Sequence, residues 1–152
     1  MLELNPSEIG VVTCVADPSA CVALPSIADA RALRVAPDEV MVLAPAGAVD
    51  AIIGTVTAAV ATIDPDAVVV DATDGWAAWT LRGDAIGAAL SRLTALELPR
   101  EGFVQGDVAR VPVKLVPAPG RLDLLVPAMW RDYLRDAILQ RCRTLGFAEG
   151  ER

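Results

Sequence analysis

The side chains that could do chemistry are few and sit near the middle of the chain. Asp64 and Asp66 flank Pro65, and Asp71 and Asp74 follow within eight residues. Carboxylates gathered in this way could take an amine, a pterin or a cation, and Asp71 and Asp74 are the candidate ligand-binding pair. No oxygen-ligand loop of the calcium type accompanies them. Aspartates at a strand end and in a turn also cap backbone N–H groups, and that plainer role is the reading preferred here. The sequence holds no histidine. That removes the commonest general base, the commonest metal ligand and every Ser-His or Cys-His nucleophile pair. No catalytic residue and no metal site is expected.

Trp76, Trp79 and Trp130 could stack on a planar group, but tryptophan serves more often as a core residue or an interface anchor. Trp76 and Trp79 lie at odd spacing, so on a strand they point to opposite faces. One then packs under the helices and the other faces outward, which makes Trp76 and Trp79 the partner-interface candidates. Cys14, Cys21 and Cys142 are an odd number without CxxC spacing. They read as reduced, small apolar residues of a cytoplasmic protein, not as a disulfide framework. The Gly83/Gly87 spacing reads as turn chemistry at a helix start.

The elements that must position these residues follow from periodicity. Val68-Val69-Val70-Asp71 reads as a strand covered on both faces, Asp74-Gly75 as a turn, and Trp76 to Leu81 as a second strand. Gly83-Asp84 closes that strand, with Asp84 placed to cap the next helix. Before this stretch, residues 1–8 read as a loose lead-in and Ile9 to Val15 as a strand. One eroded turn of helix is expected near Cys21 to Leu24. Leu33–Ala36 and Val40–Ala44 form a hairpin, and a helix carries Val49, Ile52, Ile53, Val56, Val60 and Ile63 on one stripe. After it, a helix with Ile86, Ala89, Leu90, Leu93 and Leu96 on one face stops at Pro99, and Gly102 to Gly106 reads as a loop. Residues 110–115 alternate as a strand that Pro112 assigns to a sheet edge. Leu122 to Val126 follows, then a last helix with Trp130, Tyr133, Leu134, Ala137, Ile138, Cys142 and Leu145 on its buried side.

The pattern occurs twice. Leu33–Ala46 and Lys114–Ala128 are each a hairpin followed by a Pro-Ala step and an amphipathic helix. The repeating unit is strand–helix–hairpin–helix, and its economical packing is α+β, ferredoxin-like, mainly antiparallel, with the helices on one face. The expected organisation is a single domain over 1–152: a shortened first repeat over 1–63, a second over 64–146, and a tail over 147–152. Net charge −7 argues against nucleic acid and anionic membranes, which call for clustered Lys and Arg. No apolar run reaches the length of a membrane span, and Met1-Leu2-Glu3 does not open like a secretory signal.

Three motifs carry a resemblance. They are Leu-Arg-x-x-Pro-Asp-Glu at Leu33–Glu39, Val-Val-Asp-x-Thr-Asp-Gly at Val69–Gly75, and Leu-Leu-Val-Pro at Leu124–Pro127 before a Trp/Tyr-bearing helix. With Gly83 and the helix to Leu98 between them, their order resembles the sarcosine oxidase gamma subunit family over about residues 32–142. That family is related to the folate-binding domain of the glycine-cleavage aminomethyltransferase. Val40 stands where a tryptophan is common in the family, and the N-terminal part is shortened. The resemblance implies a small, non-catalytic subunit of a heteromeric complex. In such a complex, oxidative demethylation of sarcosine or a related N-methyl amine, and passage of the one-carbon unit to tetrahydrofolate, belong to larger alpha, beta and delta subunits. Flavin, NAD and tetrahydrofolate would be held by those partners and not by this chain. Two other readings stand beside it: a stand-alone folate- or amine-binding module of the same fold, and a self-associating protein. For a folate tail, the available cations are Arg82, Arg110 and Lys114.

Overall fold

The computed structural model describes residues 1–148, and the chain divides into two compact units. Glu8–Asp74 forms an inserted unit, and Met1–Ser7 joins the chain from Gly75 onward in a flanking unit. The chain therefore passes from one unit to the next inside the Asp74-Gly75 turn.

The inserted unit begins with β2 (Ile9–Val15), after β1 (Leu2–Ser7) of the flanking unit. Asp17 then caps the five-residue helix α1 (Pro18–Val22) by accepting from the Ser19 N–H at 2.8 Å, with Pro18 at the first turn. β3 (Arg31–Ala36) and β4 (Glu39–Pro45) form the expected hairpin, whose turn is held by Arg34 Nη2 donating to the Pro37 carbonyl at 3.1 Å. α2 (Val49–Ala61) buries Val49, Ile52, Val56 and Val60, and β5 (Val68–Asp71) follows. The sheet order is β3-β4-β2-β5, antiparallel at every pairing. Val12, Cys14, Val40 and Val42 pack on Ile52, Val56 and Val60 in a core of aliphatic residues and two cysteines, Cys14 and Cys21.

The flanking unit runs β6 (Trp76–Gly83), α3 (Ile86–Leu93), β7 (Val104–Val108), β8 (Val111–Ala118), β9 (Arg121–Pro127) and α4 (Arg131–Cys142). Its sheet order is β1-β6-β9-β8-β7. Trp79, Leu81, Leu115, Leu122, Leu124 and Val126 share the face that meets Leu90 and Leu93 of α3 and Leu134 and Ile138 of α4.

The duplication is thus visible as β2-α1-β3-β4-α2 and β6-α3-β8-β9-α4. The fold is α+β and ferredoxin-like, and its antiparallel strands divide into two sheets because each repeat closes its own. The closing strand always lies beside the first strand of the repeat. For the inserted unit it is β5, which follows in sequence; for the flanking unit it is β1, which comes from the other end of the chain.

Several local expectations differ from what is observed. Residues 2–7 are a strand and not a loose lead-in: Leu2 is fully buried, its N–H donates to the Gly146 carbonyl at 2.9 Å, and its carbonyl accepts from Ala148 at 2.8 Å. The Gly102–Gly106 segment is not all loop, since β7 begins at Val104. α3 stops at Leu93, short of Pro99, because the Thr94 hydroxyl donates to the Asp107 carbonyl at 2.7 Å and accepts from the Leu96 N–H at 3.1 Å, tying the chain to β7. Asp84 does not cap that helix; Ala85 occupies the cap, and Asp84 Oδ1 holds the Met1 ammonium at 3.0 Å. Pro112 lies in an inner strand. It is tolerated there because β9 pairs with β8 only from Lys114 onward, so Pro112 has β7 alone beside it. Of the expected tail over 147–152, residues 149–152 lie outside the described residues.

Candidate functional site

Two of the four central aspartates, Asp64 and Asp71, hold backbone through their carboxylates. Asp71 Oδ1 accepts from the Thr73 N–H at 2.9 Å, closing a turn at the end of β5, and the Thr73 hydroxyl in turn accepts from the Val11 N–H at 3.0 Å. Asp64 Oδ2 accepts from the Asp17 N–H at 2.7 Å and its Oδ1 from the Asp66 N–H at 3.0 Å, which staples the loop before β5 to the start of α1. Asp71 and Asp74 are both exposed. Among the described residues, no group of three or more Cys, Asp and Glu is arranged to hold a metal ion.

Hydrogen bonding lowers the pKa of three aspartates, Asp71, Asp17 and Asp84. Asp71 is held below the usual carboxylate range by the Thr73 hydroxyl and N–H, and Asp17 by the hydroxyl and N–H of Ser19. The Met1 ammonium does the same for Asp84. A carboxylate whose folded pKa is depressed stabilises the fold above its unfolded pKa, and that stability is lost as pH falls through the folded value. With no histidine to titrate, thermal melting should hold level from about pH 7 to pH 5 and decline only at about pH 4 and below. A clear loss of melting temperature on going from pH 7 to pH 5 would contradict this assignment.

The two central tryptophans point to opposite faces of β6. Trp79 is 5% exposed within the helix-covered core, its Nε1–H donates to the Arg131 carbonyl at 3.1 Å, and the Arg131 guanidinium lies 5.7 Å from its ring centroid. Trp76 is half-buried on the other face, with Lys114 Nζ at 4.9 Å from its centroid. Trp130 and Tyr133 are not on the buried side of the last helix. They are 36% and 42% exposed, meet edge-to-face with centroids 5.8 Å apart, and stand beside the exposed Met129. The Tyr133 hydroxyl donates to the Ala109 carbonyl at 2.9 Å, which presents the pair at the β7–β8 turn.

Sequence reasoning missed a polar row across the flanking sheet. Thr80, the one buried polar residue among those described, donates to Asp123 Oδ1 at 2.7 Å and also bonds the Ser7 hydroxyl, while Arg121 Nε lies 3.2 Å from Asp123 Oδ2. Ser7, Thr80 and Asp123 come from β1, β6 and β9, and only the strand register brings them together. On the same face Ala78, Val116 and Leu125 are buried, so this side of the sheet is not the open docking plane that an outward tryptophan suggests.

The cations proposed for a folate tail do not converge. Lys114 sits over Trp76, whereas Arg82 is six residues further along the same strand as that tryptophan, roughly 20 Å away. Arg110 occupies the β7–β8 turn at a positive φ of 73°. The thiols are withdrawn from chemistry: Cys14, Cys21 and Cys142 are buried, and burial pushes all three pKa values up, leaving protonated sulfur at neutral pH.

No protein-family model and no curated protein matches the sequence. Solved structures do match. A chain of heterotetrameric sarcosine oxidase from Corynebacterium sp. U-96, solved with pyrrole 2-carboxylate, superposes with a TM-score of 0.79 at 17% identity over 98% of this chain and 87% of that one. Aminomethyltransferase T of the glycine cleavage system from Bartonella henselae gives 0.67 at 15% identity over 93% of this chain. Only 46% of the transferase chain is spanned. The regulatory subunit of aspartate kinase from Thermus thermophilus gives 0.51 at 9% identity over 93% and 97% of the two chains. At these identities the likeness establishes the fold. It is the fold that the motif order at Leu33–Glu39, Val69–Gly75 and Leu124–Pro127 implied.

Proposed function

We propose that this chain is a small, non-catalytic, gamma-type subunit of a heteromeric sarcosine oxidase-like complex. The observation that carries the reading is the superposition on a sarcosine oxidase chain over nearly the full length of both, joined to the order of the three motifs. The chemistry of the chain agrees with it: the carboxylates of Asp71 and Asp64 are engaged with backbone, the thiols are buried, and no imidazole exists to move a proton. In this reading, oxidative demethylation of an N-methyl amine and transfer of its one-carbon unit belong to alpha, beta and delta partners, which hold the flavin, NAD and tetrahydrofolate. What this chain supplies is surface, with Trp76 and the Trp130–Tyr133 pair as candidate anchors.

The match to aminomethyltransferase T favours one second reading, a stand-alone folate- or amine-binding module. The dispersed cations count against it, because a polyanionic tail needs them close together. Co-expression with large and flavin-bearing sarcosine oxidase-type subunits, followed by affinity capture on this chain, separates the two. A stoichiometric complex is expected. The subunit reading falls if the chain is recovered alone, and the module reading replaces it if the isolated chain also takes up tetrahydrofolate with micromolar affinity in a calorimetric titration.

A further inference from the structure

We propose that the open edge of β5 receives an extended segment of a partner protein as an added strand, with alternating apolar residues and basic residues at both ends. β5 ends the sheet order β3-β4-β2-β5 and, among the described residues, has only β2 beside it. The Ala72 N–H donates to the Val11 carbonyl at 2.8 Å. Antiparallel alternation then turns the backbone groups of Val68 and Val70 toward β2 and those of Val69 and Asp71 to the open side. The outer face of the strand is open as well. Val68 and Val70 are 55% and 45% exposed, and Val15, the cross-strand partner of Val68, is 44% exposed on the same face.

Two of the other sheet edges carry protective residues that the valines of β5 lack. β1 carries Pro6, and β3 carries Arg31, Arg34 and a register break between Arg34 and Ala36. Prolines, basic side chains and bulges are the usual means by which an edge refuses a stray strand. Val68-Val69-Val70 has none of them.

Charge identifies the occupant. The inserted unit holds ten carboxylates against two arginines, a formal net charge of −8. Both arginines lie on β3, the far edge of the sheet. Asp64 and Asp66 precede β5, Asp17 is bonded to Asp64, Asp71 ends the strand and Asp74 follows it. A guest strand would thus meet valines along its middle and carboxylates at both ends. A second copy of this chain is disfavoured, because pairing β5 with β5 would bring two sets of these aspartates into one seam. Strand addition supplies affinity through the main chain and selectivity through the flanks. The proposed function enters this inference only through the existence of a protein partner.

The probe is a synthetic peptide of alternating valine and threonine with two lysines at each end, titrated against the full chain by fluorescence anisotropy. Its control bears glutamates in place of the lysines. The lysine-ended peptide is expected to bind, to weaken as salt is raised, and to slow amide exchange at Val69 and Asp71. Val70→Lys, at an exposed position, is expected to leave the melting temperature unchanged and weaken binding at least about tenfold. Equal binding of the glutamate-ended peptide, or no binding of either, overturns the proposal. So does a dimer in sedimentation that protects the same amides without peptide, which would give the edge to a second copy. The two readings also fail separately. If Val70→Lys assembles as well as the parent in the co-expression experiment, the edge is not the partner's seat although the subunit reading survives. If the peptide binds while no complex forms with either chain, the edge stands and the subunit reading falls.

Discussion

Replacing Trp79 by alanine is expected to destabilise the chain by about 3–5 kcal/mol, while the same change at Trp76 costs no more than about 2 kcal/mol. The difference comes from two faces of one strand. Trp79 fills the space between β6 and the helices and ties its indole N–H to the Arg131 carbonyl, so truncation leaves a cavity and removes that hydrogen bond. Trp76 loses a half-buried ring and its contact with Lys114. A loss of 3–5 kcal/mol lowers the melting point of a chain this size by on the order of 10 °C, whereas the Trp76 variant should stay within a few degrees of the parent. Assembly should respond the other way. If Trp76 is an anchor, its alanine variant remains folded and loses at least about 2 kcal/mol of binding in the co-expressed complex. If both variants lose about 10 °C, Trp76 is core as well and anchoring passes to Trp130 and Tyr133. If both fold and still assemble, neither tryptophan is an anchor.

Much of this arrangement was legible in the sequence, and the reasons are local. Val49, Ile52, Val56 and Val60 sit at helical spacing, and they are the residues α2 buries. Val111, Val113 and Leu115 alternate, and all three are buried. The hairpin at Pro37-Asp38 and the passage between units at Asp74-Gly75 are written in turn chemistry. What escaped is what only long-range pairing decides. Nothing in Leu-Glu-Leu-Asn-Pro-Ser announces a strand, because its partner β6 is more than seventy residues away. The Ser7–Thr80–Asp123 row escaped for the same reason, since its members share a face only once three strands are in register. Pro112 misled because the rule concerns a missing neighbour at one residue and not the rank of the whole strand. Trp130 and Tyr133 fit an apolar helical stripe, yet the Tyr133 hydroxyl is drawn outward to the Ala109 carbonyl. Local periodicity fixes elements and buried stripes; register and closure decide which polar groups meet.

Register also makes Gly83 the most constrained glycine among the described residues, and Gly83→Ala is expected to cost at least about 3 kcal/mol. Two effects add. Gly83 has φ +119°, a region closed to residues with a Cβ, which alone costs about 1–3 kcal/mol. A Cβ there would also stand 2.1 Å from the Met1 carbonyl oxygen and 3.2 Å from its carbon, so backbone and not a flexible side chain must move. Leu2 is the register partner of Gly83, and the displacement therefore falls on the strand that closes the flanking sheet. Moving β1 exposes Leu2 and pulls the Ser7 hydroxyl away from Thr80, leaving a buried polar group short of a partner. Gly87→Ala supplies the contrast: it lies in α3 with nothing within 4 Å of the added Cβ, so it should stabilise by up to about 1 kcal/mol. Thermal melting with amide exchange reads both. Gly83→Ala should melt well below the parent with faster exchange along Leu2–Ser7, and Gly87→Ala at or above it. A Gly83→Ala chain that melts with the parent would show that Met1 and Leu2 yield freely, and that β1 does not hold the flanking sheet closed.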